Sequence, residues 1–320
     1  MANEIRVDNR RVLAALSNQK VLLAILVIGV VLSIASPYFL TYYNIVNIFS
    51  YMSIEGVLVI GMAFLIILGE LDLSVGSNMA VSTVLAITFQ QYGVVAGVAA
   101  GLVGGAAVGI INGLLVTRLK LSSLAVTLGM MVALSGVVLA VTKSLTVKGT
   151  NPDFLAISQP LFFNISGSIL VFIVLVVVFQ IVLKRTHFGR NVYAVGGNAV
   201  ASRLFGINVD RVRLACFAIT GVLAGVAGVL LAGKINVASG RLGVNTPLLV
   251  ITAVLLGGVS LSGGEGSVGK AFLGFLLIAI LNNAMVLLRL ESYIQDMVRG
   301  GILILILVID AVNVERAKYR

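Results

Sequence analysis

Residues 184–213 read KRTHFGRNVYAVGGNAVASRLFGINVDRVR, a polar interruption of 30 residues in a chain that is otherwise apolar almost throughout. The segment carries six Lys or Arg against one acid, Asp210. Basic connections between membrane spans stay on the cytoplasmic side, so this loop is expected to face the cytoplasm and to orient the spans on either side of it. It is also where a soluble partner would grip a membrane protein.

Working outward, 59% of the 320 residues are hydrophobic and 11% are charged, a balance that no soluble core and surface would need. The chain is expected in a bilayer. There only helices or a closed barrel satisfy the backbone, and runs such as ILVFIVLVVVFQIVL at 169–183 lack the alternation of a barrel strand. The expectation is an all-α, polytopic helical bundle forming a single transmembrane domain over 1–320, with 1–19 a cytoplasmic N-terminal segment. Helices are predicted near 20–37, 45–68, 76–92, 94–116, 121–142, 167–184, 213–233, 247–261, 268–289 and 295–312. The basic lead to Lys20 and the apolar stretch from Val21 imitate a secretory signal. The stretch is long for one and many spans follow, so an uncleaved first helix is expected. With both termini cytoplasmic, sixteen Lys or Arg fall on inner connections and six on outer ones, the latter including Arg241 and Arg299.

A formal charge of +10 raises nucleic acid as a partner, but the basic residues sit at span ends with little aromatic interleaving, so membrane topology accounts for them. The lone Cys216 and lone His187 leave no disulfide and no metal cluster. Gly264-x-x-x-x-Gly269-Lys270 imitates a phosphate-binding loop. Ala271 stands where a metal-binding hydroxyl is required, and the segment joins two spans, so the chain is expected to bind no nucleotide or other cofactor itself.

Two predicted spans, 76–92 and 247–261, are short or studded with polar residues. Irregular backbone at membrane depth points toward a permeation path. Both neighbourhoods share the loose pattern Leu-Gly-x-x-x-Leu-Ser-x-Gly, at 68–76 and 256–264. Glu70, Asp72 and Ser74 lie at the first break, where Asp72 or Ser74 either caps the next helix or helps line a path for a hydroxylated solute. Glu55 lies near the middle of the second span, where a charged carboxylate costs about 2.5 to 3.5 kcal/mol. Such a residue faces the bundle interior or a cavity, in a structural or a transport role. Asn112, Asn282 and Asn283 offer interhelical hydrogen bonds or solute contacts.

Within the basic loop, Asn198 is a good helix cap and Gly206 a natural stop, which predicts a two-turn helix over 198–206. So short a helix needs something packed on Val200, Leu204 and Phe205, beside Arg203. The candidates are the membrane helices' own ends or another protein.

Three motifs in this order resemble the permeases of bacterial ATP-binding-cassette importers for ribose and related sugars, over nearly the whole length. They are Asp72-Leu73-Ser74-Val75-Gly76-Ser77, then Gly189-Arg190-Asn191-Val192-Tyr193-Ala194-Val195-Gly196-Gly197-Asn198 with Ala201, Arg203, Gly206 and Ile207, then Leu256-Gly257-Gly258-x-Ser260-Leu261-x-Gly263-Gly264-x-Gly266. The resemblance implies a ten-helix, type II-like subunit of the bacterial inner membrane, paired with a second, identical or similar permease. Two cytoplasmic ATPase subunits, which would bind the ATP and Mg, and a periplasmic sugar-binding protein would complete the importer. The helix at 198–206 would be the coupling helix, contacting the ATPase through Asn198, Val200, Arg203, Leu204, Phe205 and Gly206. At Glu70 the chain departs from the resemblance, since an uncharged residue, commonly Gly, is usual there. An ion-coupled secondary transporter using Glu55, Glu70 and Asp72 is the alternative reading. A passive channel would need a pore ring, and none is visible.

Overall fold

The computed structural model describes residues 20–318, so the expected segment 1–19 lies outside it. Twelve α-helices run in order among the described residues: α1 Lys20–Ala35, α2 Tyr42–Ile67, α3 Val75–Phe89, α4 Val94–Arg118, α5 Ser123–Thr142, α6 Gly167–Arg185, α7 His187–Gly197, α8 Ala199–Leu204, α9 Val209–Ile235, α10 Thr246–Leu256, α11 Val268–Leu287 and α12 Ser292–Lys318. Six of them, α2, α4, α5, α6, α9 and α11, are long and apolar enough to cross a membrane. By contrast α1, α3 and α10 have 16, 15 and 11 residues. At ~1.5 Å per residue, α10 spans only about half of a ~30 Å hydrocarbon core.

The all-α expectation needs one small amendment. Between α5 and α6, β1 Val147–Lys148, β2 Pro160–Phe162 and β3 Ile165–Ser166 form, and β4 Val237–Ala238 follows α9. Strand β1 pairs antiparallel with β4, and β2 with β3. These short ladders satisfy backbone at the end of the bundle opposite 184–213.

A helix that is apolar on all sides buries its surface in protein or in lipid, and the bundle contains both kinds. The most apolar window of α2 is 83% buried, with 61% for α9 and 56% for α11. The corresponding figures for α4, α5 and α6 are 28, 17 and 22%, so these helices turn most of their surface outward. Helix α2 is the axle of the core, with Met52, Val57, Phe64 and Ile67 fully buried.

Glycine sets how closely α4 and α9 approach. A Cβ at Gly221 would stand 2.6 Å from both Gly105 O and Gly109 Cα, and one at Gly105 would stand 2.5 Å from Gly225 Cα. Backbone meets backbone here, which only glycine permits.

The segment 184–213 departs from the expected loop with one short helix. Helix α6 runs to Arg185, α7 fills most of the first half, and α9 starts at Val209, before the predicted 213. Thr186 caps α7 by accepting from Gly189 N at 3.1 Å. Val192 and Val195 bury one face of the helix. Three glycines in eleven residues disguise α7 as loop, yet Gly189 and Gly196 are what let it lie against the backbone of α6 and α2. Helix α10 stops at Leu256 rather than 261 because Gly258 takes a left-handed φ of +83° and Val259 N turns back to Val254 O. Helix α2 ends the same way, with Gly69 at φ +80° and Glu70 N donating to Leu65 O.

Candidate functional site

Helix α8 stands out from the basic end of the bundle as a small knob. Asn198 accepts from Ala201 N at 2.9 Å, and past Gly206, at φ +80°, Ile207 N turns back to Ser202 O. These caps and the buried Ser202 hold six residues that would not persist as an isolated helix. Val200, Leu204 and Phe205 are 71, 84 and 87% exposed, so the ends of the membrane helices do not cover them. Asp210, in the first turn of α9, takes Lys120 Nζ at 2.7 Å and an Arg203 guanidinium nitrogen at 3.4 Å. That pair of contacts orients the knob between α9 and the α4–α5 connection.

The base of the knob is bonded into the core. Gly264 N donates to Ile67 O at 2.7 Å, and a side chain at Gly196 would strike that same oxygen. The Tyr193 hydroxyl donates to Gly266 O at 2.7 Å, and partial burial pushes its phenol up, which keeps the proton that the bond uses. Glu70 Oε1 lies 2.9 Å from Arg213 Nε. The charge at which the chain departs from the resemblance is thus answered by the basic segment. The end of α2, the end of α7 and the glycine-rich connection at 257–266 form one bonded unit, in which both copies of the Leu-Gly-x-x-x-Leu-Ser-x-Gly pattern meet.

Asp72 and Ser74 lie deeper, 1% and 0% exposed. Asp72 Oδ1 accepts from Ser74 N at 2.8 Å and from the Ser74 hydroxyl at 2.6 Å. Asn112 Nδ2 on α4 donates to Ser74 Oγ at 2.9 Å and lies 3.5 Å from Asp72 Oδ2. Asp72 therefore fixes the turn that leads into α3 by holding Ser74, the residue before the helix, and Ser74 makes no side-chain cap bond of its own. The extended backbone before it is satisfied by α5, where the Ser123 and Thr127 hydroxyls accept from Leu71 N and Leu73 N.

Toward the opposite end, a cavity of about 580 Å³ opens between α2, α10, α11 and α12. Glu55, Tyr51, Asn245, Asn282, Arg299, Arg241 and Asp296 supply its charged and larger polar groups. Asn282 Nδ2 donates to the Tyr51 hydroxyl at 3.2 Å, while Asn282 Oδ1 accepts from Arg299 Nε at 3.0 Å. Glu55 Oε2 is buried with no hydrogen-bond partner among the described residues. Asn283, the neighbour of Asn282, exchanges paired bonds with Asn44 at 2.9 and 2.7 Å, clamping α11 to α2.

The six candidate path residues are thus distributed over four places. Glu55 and Asn282 share the cavity, Asn283 belongs to an interhelical clamp, Asp72 and Ser74 bond each other in the turn before α3, and Glu70 pairs at the basic end. Tyr51, Arg299, Arg241 and Asp296 were not among the sequence candidates. Tyr51 precedes Glu55 by four residues on α2, a spacing that places both on one face and was readable in the sequence. Arg299 was counted as a connection residue, but it sits within α12 and reaches Asn282.

A family described as "Branched-chain amino acid transport system / permease component" matches residues 44–307. The L-arabinose ABC transporter permease protein AraH of Azospirillum brasilense is 37% identical over 292 residues, covering 91% of this chain and 86% of that protein. The ribose import permease protein RbsC of Bacillus subtilis (strain 168) is 36% identical, covering 90% and 91%. RbsC of Escherichia coli (strain K12) is 33% identical, covering 93% and 94%. No solved structure gives a significant match.

Proposed function

Since the chain belongs to the family of branched-chain amino acid transport system permease components, with ribose and L-arabinose permeases among its relatives, we propose that it is the membrane subunit of an ATP-driven importer for a monosaccharide or related polyol. It is a multi-pass protein of the inner membrane, and on this reading ten helices cross, with both termini and the 184–213 segment in the cytoplasm. The permease pairs with a second copy or a close relative, receives solute from a periplasmic binding protein, and is driven by two ATPase subunits that bind ATP and Mg.

The observation that carries this reading is the bare apolar knob. Val200, Leu204 and Phe205 present their side chains to solvent on a helix whose backbone is tightly held, which is the form of a docking element. Asn198 and Gly206 shape the knob and Arg203 orients it through Asp210. Closure of the ATPase pair on bound nucleotide would push the knob. Its base at Gly196 lies against Ile67 O, and the 257–266 connection that accepts from Tyr193 also donates to Ile67 O through Gly264 N, so the push would reach the central helix that carries Glu55. Family membership does not favour the ion-coupled alternative, which requires Glu55, Glu70 and Asp72 to bind the ion. Glu70 instead has Arg213 beside it, and Asp72 is engaged by Ser74.

The test is uptake by vesicles holding permease, ATPase and binding protein. Accumulation that needs nucleotide, and that falls at least about tenfold in Leu204→Ala and Phe205→Ala together with ATPase co-purification, is expected for loss of central docking contacts. Uptake by wild type without the ATPase would end the proposal.

A further inference from the structure

The cavity between α2, α10, α11 and α12 has the properties of a ligand site rather than of a packing gap. Its volume, about 580 Å³, lies within the roughly 300 to 1,000 Å³ typical of small-molecule pockets and far above the ~30 Å³ share of a single water. Within it Asn282 is already engaged on both its oxygen and its nitrogen, by Arg299 and Tyr51. Glu55 Oε2 has no hydrogen-bond donor among the described residues, although seven side chains that carry donors, Asn245 and Arg241 among them, line the same space. An acceptor left open inside a membrane protein is costly unless something else supplies the hydrogen bond.

Charge defines what that donor is. The lining carries two acids, Glu55 and Asp296, and two bases, Arg241 and Arg299, so it favours neither an anion nor a cation. Apolar side chains, Leu249 and Met285 among them, complete the wall and suit the C–H face of a ring. We propose, on the importer reading above, that this cavity is a holding site for a neutral polyhydroxylated solute of monosaccharide size. One solute hydroxyl donates to the Glu55 carboxylate, and its neighbours bond to the donor and acceptor positions of Asn282 and of the Arg299 guanidinium that their protein partners do not use. This enlarges the site from Glu55 and Asn282 to Tyr51, Arg299 and Arg241.

Thiol labelling reads the site directly, because the one native cysteine, Cys216, is fully buried. The full-length permease carrying Thr246→Cys or Leu249→Cys, both cavity positions, is treated with a maleimide in mild detergent with ribose, L-arabinose or leucine as probe. A pentose is expected to slow labelling about tenfold at ten times its dissociation constant, and Glu55→Ala added to either variant is expected to remove that protection. Nucleotide-driven uptake by wild type with no pentose protection at either cysteine would overturn the site while leaving the importer reading intact. Protection by leucine and not by pentoses would overturn the solute class. Uptake that needs no nucleotide would instead defeat the importer reading, and the holding site with it.

Discussion

Asp72 shows how a buried acid can be structural in geometry while lying beside a path. Its Oδ1 holds both the N–H and the hydroxyl of Ser74, and Asn112 closes the triangle from α4. In Asp72→Asn the amide oxygen still accepts from Ser74, whereas Asp72→Ala leaves buried donors unanswered at ~1–3 kcal/mol each. Asp72→Ala is therefore expected to lower survival in a temperature ramp in detergent far more than Asp72→Asn. Equal losses would mean that the charge, not the hydrogen bonds to Ser74, is what matters. A second asymmetry belongs to Glu70 and Arg213. Glu70 is 10% exposed and Arg213 26%, so deleting the cation strands the more buried partner. Arg213→Ala is expected to cost up to about 3 kcal/mol and to exceed Glu70→Gln, since a stranded buried charge costs more than the pair gives. The same ramp checks the order of the two.

Between elements, the decisive contacts are made by glycine. A side chain at Gly105 or Gly221 would press into the facing backbone of α9 or α4, and neither helix can yield without parting from the other. Gly105→Ala is expected to destabilise the bundle by about 1 to 3 kcal/mol, the usual range for overpacking. Gly129→Ala, on α5 with nothing among the described residues within 4 Å of the added methyl, is expected to be neutral or slightly stabilising. Monodispersity after heating separates the two, and similar behaviour would remove the claim that α4 and α9 touch. Gly196 is the corresponding position in the drive train, because a side chain there would displace α7 from Ile67 O. Gly196→Ala is expected to lower nucleotide-dependent uptake while Leu204 and Phe205 still retain the ATPase. Loss of both together would place the knob's base and its tip in one function.

For the whole molecule, orientation is the property from which the direction of transport follows. With Cys216 buried, Leu204→Cys is expected to react with a membrane-impermeant maleimide in inside-out vesicles and not in spheroplasts. Leu145→Cys, exposed in the connection after α5 at the opposite end, is expected to show the reverse. The membrane class, the six helices long and apolar enough to cross, the presence of short helices near 76–92 and 247–261, and the capped knob from Asn198 to Gly206 were legible in the chain, because apolar run length, charge placement and capping residues act locally. Helix α7 was not, since its glycines read as loop until the backbone they approach is known. Nor could the sequence distinguish Asn282 from Asn283, adjacent and identical in type. One turns to a cavity and the other to Asn44, and that choice is made by the rotation of α11 against α2. Local chemistry determined that this chain crosses a bilayer and displays a basic, capped surface helix. Only the tertiary packing decided which buried acids are answered by a neighbour and which, like Glu55, line a cavity, because a partner distant in sequence exists only once the helices have been brought together.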